Sequence, residues 1–388
     1  MANKVLGILN FEPSYVHVEG IEDYRTVSSA SILGRYRVID FALSNFVNSG
    51  ISTIDVFIKN RPRTLIEHVN GTNYGINSKR GIIRLLPPEK SYSNEIYNTD
   101  IRAMMDNIQY IEESNAAYVV VAPCHFIYTQ DFTKVIEEHI KSKNDITMLY
   151  QIVNNADTNF VMCDTLDIDK NNRVVNIGKN LGNKKHQTIS LETYVMSKKL
   201  FIDLIYAGLS LSSVYSLRDT IVECFDNYKV GAYCHCASAY CISSLMAYFN
   251  STMHIRKENE VKALITEEWP IHTMSHDACP TLYTKDAEVR GSIIGNGCQI
   301  EGTIINSVIG RNVVIKKGAV VKDSIILPNA LVNRNVHMSK CVVDRFAIVT
   351  HAKELHGEDN APLYVARRDR IWWKRRKFYL RPLKGYLL

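Results

Sequence analysis

No apolar run in this 388-residue chain approaches the roughly 20 residues that a membrane span needs. The first residues, Met1-Ala2-Asn3-Lys4-Val5-Leu6, lead straight into a strand-like run, so no secretory leader is expected. A paired cysteine framework is also lacking. Nine cysteines is an odd count, scattered from Cys124 to Cys341, and this reads as reduced thiols in a cytoplasmic protein. Cys234-x-Cys236 lacks the spacing of a zinc knuckle and has no second pair nearby, so a buried strand is its expected home. Nor is there a general excess of positive charge. The formal net charge is +6, but residues 366–388 hold nine basic residues and one acid, or +8, which leaves about −2 for the rest (6 − 8). That argues against a polycation that coats nucleic acid, and no nucleic-acid or membrane partner is expected.

What is present is an ordinary globular composition, 46% hydrophobic and 22% charged, long enough for roughly two domains of about 150 residues. Val5 to Leu9 reads as a first strand. Tyr36 to Phe41 alternates and leads into a helix-like segment. A turn signal, Asn48-Ser49-Gly50, separates that segment from a β-branched strand over Ile51 to Ile58. Asn94 to Glu113 reads as a helix entered at Thr99 or Asp100, with Ile101, Met104, Met105, Ile108 and Ile111 on one core-facing stripe. Ala117 to Ala122 is fully apolar, as expected for a strand covered on both faces. Asp131 to Ser142 is an amphipathic helix with Phe132, Val135, Ile136 and Ile140 on one side, and Ile146 to Val153 is a further strand. Strands alternating with helices predict a mostly parallel α/β sheet, with ligands at the carboxyl ends of its strands.

From Val289 onward apolar residues recur every six positions. One register runs through Val308, Val314, Val320, Ile326 and Val332, and a neighbouring one through Ile309, Ile315, Val321 and Leu327; Ile294 and Ile300 begin the pattern. A six-residue period predicts three short strands per coil of a parallel β-helix. Acyltransferases share such coils and need a histidine facing a pantetheine groove. His337 is the one histidine well inside the coils, and the large preceding α/β portion argues against that reading. The tail from Arg367 alternates basic clusters with Trp372, Trp373, Phe378 and Tyr379, which suits an interface or an anionic effector better than nucleic acid.

The string from Leu33 to Ile51, LGRYRVIDFALSNFVNSGI, closely resembles the segment that follows the phosphate loop in bacterial glucose-1-phosphate adenylyltransferases. The resemblance covers nearly the whole chain. It implies a Rossmann-like nucleotidyltransferase domain with a mostly parallel sheet over residues 1–253. A linker helix and connection would follow over 254–281, a left-handed parallel β-helix of hexapeptide repeats over 282–365, and the basic aromatic tail over 366–388.

The family's catalytic motifs are altered at the phosphate loop, at Val27, at His125 and at Cys241. Phe11 and Glu12 stand where the family has phosphate-loop glycines, and Pro13 removes an amide donor. Val27 takes the place of a lysine. Aligning Ile127-Tyr128 puts His125 at the first magnesium-binding aspartate, and counting back from the helix at Met246 to Met253 puts Cys241 at the second. Glu192 replaces a glycine. Imidazole and thiol are poor ligands for a hard cation that prefers oxygen. Lys179 matches the sugar-phosphate lysine, and Arg35 stands where the family keeps a basic effector-binding residue.

This erosion resembles the GlgD-type subunit, which pairs with a catalytic subunit of the same fold. It implies a regulatory partner in a hetero-oligomer, expected to be a tetramer, that makes ADP-glucose from ATP and glucose 1-phosphate. No cofactor is expected on this chain; magnesium would serve the catalytic partner. Arg35 and Lys179 are candidates to bind an anionic metabolite. Two other readings remain at this point: an active nucleotidyltransferase with a rearranged site, and a free-standing sugar-phosphate sensor.

Overall fold

A computed structural model describes residues 5–76, 81–87, 98–350, 354–366 and 370–371. The basic aromatic tail and the start of the segment expected to be helical from Asn94 lie largely outside the described residues. No helix among the described residues is long and apolar enough to cross a membrane. The chain divides into two compact units. One holds residues 1–32, 36–251 and 258–275, and the other 33–35, 252–257 and 276–388.

The first unit is built on a nine-stranded sheet. Val5–Asn10 lies at its centre, parallel to Thr53–Phe57 on one side and to Tyr118–Pro123 on the other. Ile82–Leu86 extends the parallel half. Beyond Tyr118–Pro123 the antiparallel strand Gln187–Ser197 joins three elements: Ile146–Val153, Asp164–Ile168 and the central sheet. Period-two alternation decides what each face buries. Val5 and Leu9 pack with Phe46 and Val56 on one face, while Leu6 and Ile8 pack with Met104 and Phe201 on the other. Gly7 sits on the first face, where an added Cβ would come within 3.1 Å of the Phe46 ring.

The string at Leu33 to Ile51 forms a two-residue strand, Tyr36–Arg37, and then the helix Val38–Asn48. Asp40 caps it by accepting the Arg37 amide at 2.9 Å, and its other oxygen meets His68 Nε2 at 2.6 Å. At the far end the Ile51 amide reaches the Phe46 carbonyl and the Gly50 amide the Val47 carbonyl, with Gly50 at φ 76°. That is the glycine-terminated exit the turn signal predicts.

Three local expectations are corrected. The Asn94–Glu113 segment holds two helices, Asp100–Asp106 and Ile108–Glu112, broken at Asn107. The helix at Met246 to Met253 runs over Leu245–Ile255, and the linker helix expected within 254–281 is the separate short helix Glu258–Leu264. Cys234 and Cys236 are exposed rather than buried, because the strand Val230–Cys234 ends there.

The second unit stacks parallel strands into three sheets of six, five and five, one strand of each per coil. The inward residues do not keep a single six-residue register. Ile309, Ile315 and Val321 are buried, and then Ile326, Val332 and Met338 take over. Every third corner is therefore one residue short, at Asn306, Asp323 and Lys340, each with positive φ. Directly after these corners lies a buried ladder. Ser324 N donates to Ser307 Oγ and Cys341 N donates to Ser324 Oγ, both at 3.1 Å and both 17 residues apart. A strict hexad count could not reveal this slip, because the ladder forms only once the coils stack. His337, weighed above as an acyltransferase residue, is exposed.

Ser324→Ala should leave the Cys341 amide buried without an acceptor and cost about 1–3 kcal/mol. Urea unfolding of the full chain should show the loss, and Ser324→Thr, which keeps the oxygen, should lose less.

Candidate functional site

The carboxyl ends of the central strands open into a cleft of about 520 Å3, wholly within the first unit. Its first wall is the loop after Val5–Asn10. Phe11, Glu12 and Pro13 all line the cleft. Glu12 is buried, and its carboxylate accepts the Cys124 thiol at 3.3 Å. Burial raises its pKa, with partial relief from hydrogen bonds. Lys59 lies 5.8 Å from the centroid of the Phe11 ring.

The opposite wall is an ion cluster. Asp164 is fully buried at the start of the strand Asp164–Ile168. Its two oxygens meet Lys179 Nζ at 2.7 Å, Arg218 Nε at 2.9 Å and Arg218 Nη2 at 3.0 Å. Lys179 ends the neighbouring strand Val174–Lys179, and its ammonium also lies 5.1 Å from the Tyr15 ring centroid. The candidate sugar-phosphate lysine is thus in the cleft, with its charge already engaged by an internal carboxylate. Asp219 takes the remaining guanidinium nitrogen of Arg218 at 3.1 Å.

Between these walls Tyr15 donates a hydrogen bond to Glu192. Glu192 stands in a register shift of Gln187–Ser197, between Ser190 and Tyr194, and has φ 49°. The bulge re-aims its carboxyl into the cleft, as bulges beside functional sites do.

His125 and Cys241 lie together below this layer, not in the cleft. The strand Phe126–Ile127 pairs with Tyr240–Cys241, Cys241 facing Phe126. Both side chains are fully buried. His125 Nε2 is 3.2 Å from the Tyr15 hydroxyl and 3.8 Å from Glu192 Oε2, and its Nδ1 has no partner. Burial lowers the His125 pKa to about 3, so the imidazole is neutral. The Cys241 sulfur is 3.5 Å from Cys163 Sγ, and burial together with that neighbour pushes its thiol well above the ordinary range. A neutral imidazole and a protonated thiol, sealed from the cleft, do not fit magnesium, whose ligands are oxygens.

Val27 is buried in the short turn Val27–Ser29 and does not line the cleft. Arg35 is exposed and clusters with the second unit. Asp164 and Arg218 carried no local sequence signal. Asp164 and Arg218 are 54 residues apart and meet only through the sheet.

Residues 29–174 match the family described as Nucleotidyl transferase, and residues 280–362 match the one described as GlmU-like, C-terminal hexapeptide. The chain is 30% identical to the glycogen biosynthesis protein GlgD of Geobacillus stearothermophilus, over 83% of this chain and 84% of the relative. It is 29% identical to glucose-1-phosphate adenylyltransferase of Lachnospira eligens, over 73% and 67%. The enzyme of the same name from Fervidobacterium nodosum is 28% identical over 81% and 77%.

Burial raises Glu192 from 4.5 to about 7, against the opposing hydrogen bond from Tyr15. The folded chain therefore keeps a proton that the unfolded chain releases. The stability this contributes is complete below pH 4.5 and is lost as pH rises through 7. Glu192→Gln should gain on the wild type across that window, by at most about 3 kcal/mol at pH 8, and not at pH 4. Urea midpoints at several pH values check this; a pH-independent difference would refute it.

Proposed function

The chain belongs to the family of the glycogen biosynthesis protein GlgD and the glucose-1-phosphate adenylyltransferases, and from that membership we propose that it is a regulatory, catalytically impaired subunit in glycogen biosynthesis. It pairs with a catalytic subunit of the same fold in a cytoplasmic hetero-oligomer, a tetramer, that converts ATP and glucose 1-phosphate to ADP-glucose and diphosphate. Magnesium serves the partner, not this chain.

One observation supports impairment above the rest. The two positions where the family resemblance expects metal-binding carboxylates hold a neutral histidine and a protonated cysteine, both fully buried. Nucleotidyl transfer depends on placing and neutralising phosphates. Here the cleft has lost the means for both. Its entrance loop carries Phe11, Glu12 and Pro13, and two of its cations are bound to Asp164. The β-helix unit, by contrast, keeps a continuous buried core, as a subunit retained for assembly would require. An anionic effector would find Arg35 exposed, whereas at Lys179 it would have to displace Asp164.

The isolated chain, given ATP, glucose 1-phosphate and magnesium, should release diphosphate only at background. Mixed with a catalytic glucose-1-phosphate adenylyltransferase subunit, it should co-elute as a hetero-oligomer and change that subunit's rate or effector response. If the mixture behaves as the catalytic subunit alone at every ratio, the partner role is wrong. Turnover by the isolated chain would instead support a rearranged active site. Failure to associate would leave a free-standing sensor.

Converting His125→Asp and Cys241→Asp together should not rescue turnover, because the entrance loop is unchanged. It should cost about 3–5 kcal/mol by burying unpaired carboxyls. Thermal unfolding and the diphosphate assay read the two effects separately.

A further inference from the structure

The cleft contains two kinds of polar group, and they differ in what they still need. Two of its cations are already matched. Asp164 takes three contacts of 3.0 Å or less from Lys179 and Arg218, and being fully buried it has no solvent to swing into. The remaining cation, Lys59, stands near Glu12, which is buried beside it. Among the described residues, three cations (Lys59, Lys179, Arg218) face five carboxyl side chains (Glu12, Asp100, Asp164, Glu192, Asp219) around the same space. At the wall formed by Lys179 and Arg218, an incoming phosphate would have to displace a carboxylate held by both cations.

Two neutral groups are not matched. The hydroxyl of Tyr194, a residue only 4% exposed, has no hydrogen-bond partner, and neither does Oδ1 of Asn10. Both residues line the cleft. Burial and nearby carboxylates hold the Tyr194 phenol well above its usual range, so it stays an O–H. Asn10 turns its amide nitrogen to Asp100 at 2.6 Å, which fixes Oδ1 as the free end. Oδ1 needs a donor, and Tyr194 can give or take. A ligand hydroxyl does both, whereas a phosphate dianion offers acceptors only. Phe11 and Tyr15 add aromatic surface to the same walls, and a volume of about 520 Å3 lies in the range of small-molecule sites.

We propose that this cleft binds an uncharged polyhydroxyl ligand, a free glucosyl unit, through Tyr194 and Asn10, and that Asp164 is the specificity residue that excludes phosphorylated ligands by occupying Lys179 and Arg218 from within. The glucosyl choice rests on the glycogen-biosynthesis reading; the preference for neutral over anionic ligands does not. The binding test uses the isolated full chain and the partner role is read by mixing, so either can fail alone.

Calorimetry or saturation-transfer NMR with D-glucose, maltotriose, glucose 1-phosphate and inorganic phosphate provides the test. The two neutral sugars distinguish a single hexose from an oligosaccharide end. At least one should bind the wild type about tenfold or more tighter than either anion. Tyr194→Phe should weaken that sugar about five- to tenfold, with an unchanged melting temperature. Asp164→Asn frees the two cations and should raise the affinity for inorganic phosphate about tenfold or more. The proposal fails if the wild type binds phosphate or glucose 1-phosphate as well as the sugars, if neither sugar binds, or if Tyr194→Phe leaves sugar binding intact. Should Asp164→Asn not fold, the wild-type ranking and Tyr194→Phe decide the matter.

Discussion

The amide of Asn45 holds the first unit together at a point where three segments meet. Its nitrogen donates to the Tyr128 carbonyl at 2.9 Å, while its oxygen accepts the Gln130 amide at 3.0 Å and the Trp269 indole at 3.1 Å. The residue is fully buried, so each of these bonds is made where an unpaired partner would be costly. Its neighbours act alike: Ser49 Oγ accepts the Phe132 amide and Ser44 Oγ the His272 amide. The helix Val38–Asn48 therefore does more than cover the sheet. Its polar residues bind the chain that follows Tyr118–Pro123 and so fix the height of the strand Phe126–Ile127, from which His125 emerges.

That scaffold makes the altered site intelligible. A loop held this firmly cannot move to suit a new side chain, so the side chains must suit the space. At His125 and Cys241 the space is dry, and the residues present are ones that a dry space keeps neutral. Where charge does persist, at Asp164, it is fully paired across strands. The same preference for local neutrality accounts for both a floor of neutral side chains and a wall with two cations already taken.

Much of this was legible in the sequence. The apolar runs at Ala117 to Ala122 and at Val5 to Leu9 gave two neighbouring central strands, because composition and burial are local properties. The hexad likewise announced the coils. What stayed hidden depends on distance or on backbone shape. Asp164 finds Lys179 and Arg218 only through the sheet. The exposure of Cys234 and Cys236 follows from where a strand stops, and the five-residue corners in the coils follow from stacking. The substitutions at Phe11, Glu12, His125 and Cys241 were visible as residues, but that the first two line the cleft while the last two lie beneath it was not.

Glu192 carries the cleft wall on a backbone conformation that side chains rarely adopt. Its φ of 49° is one that glycine adopts freely and that costs other residues roughly 1–2 kcal/mol. The same residue also buries a carboxyl whose pKa is raised to about 7. Two contacts offset the cost: the hydrogen bond from Tyr15, and through Tyr15 the link to His125. Tyr15 belongs to the entrance loop, His125 to the floor and Glu192 to the antiparallel strand. A strained residue that ties three elements together stiffens the cleft, and a stiff cleft is suited to holding one shape of ligand rather than to following a reacting phosphate.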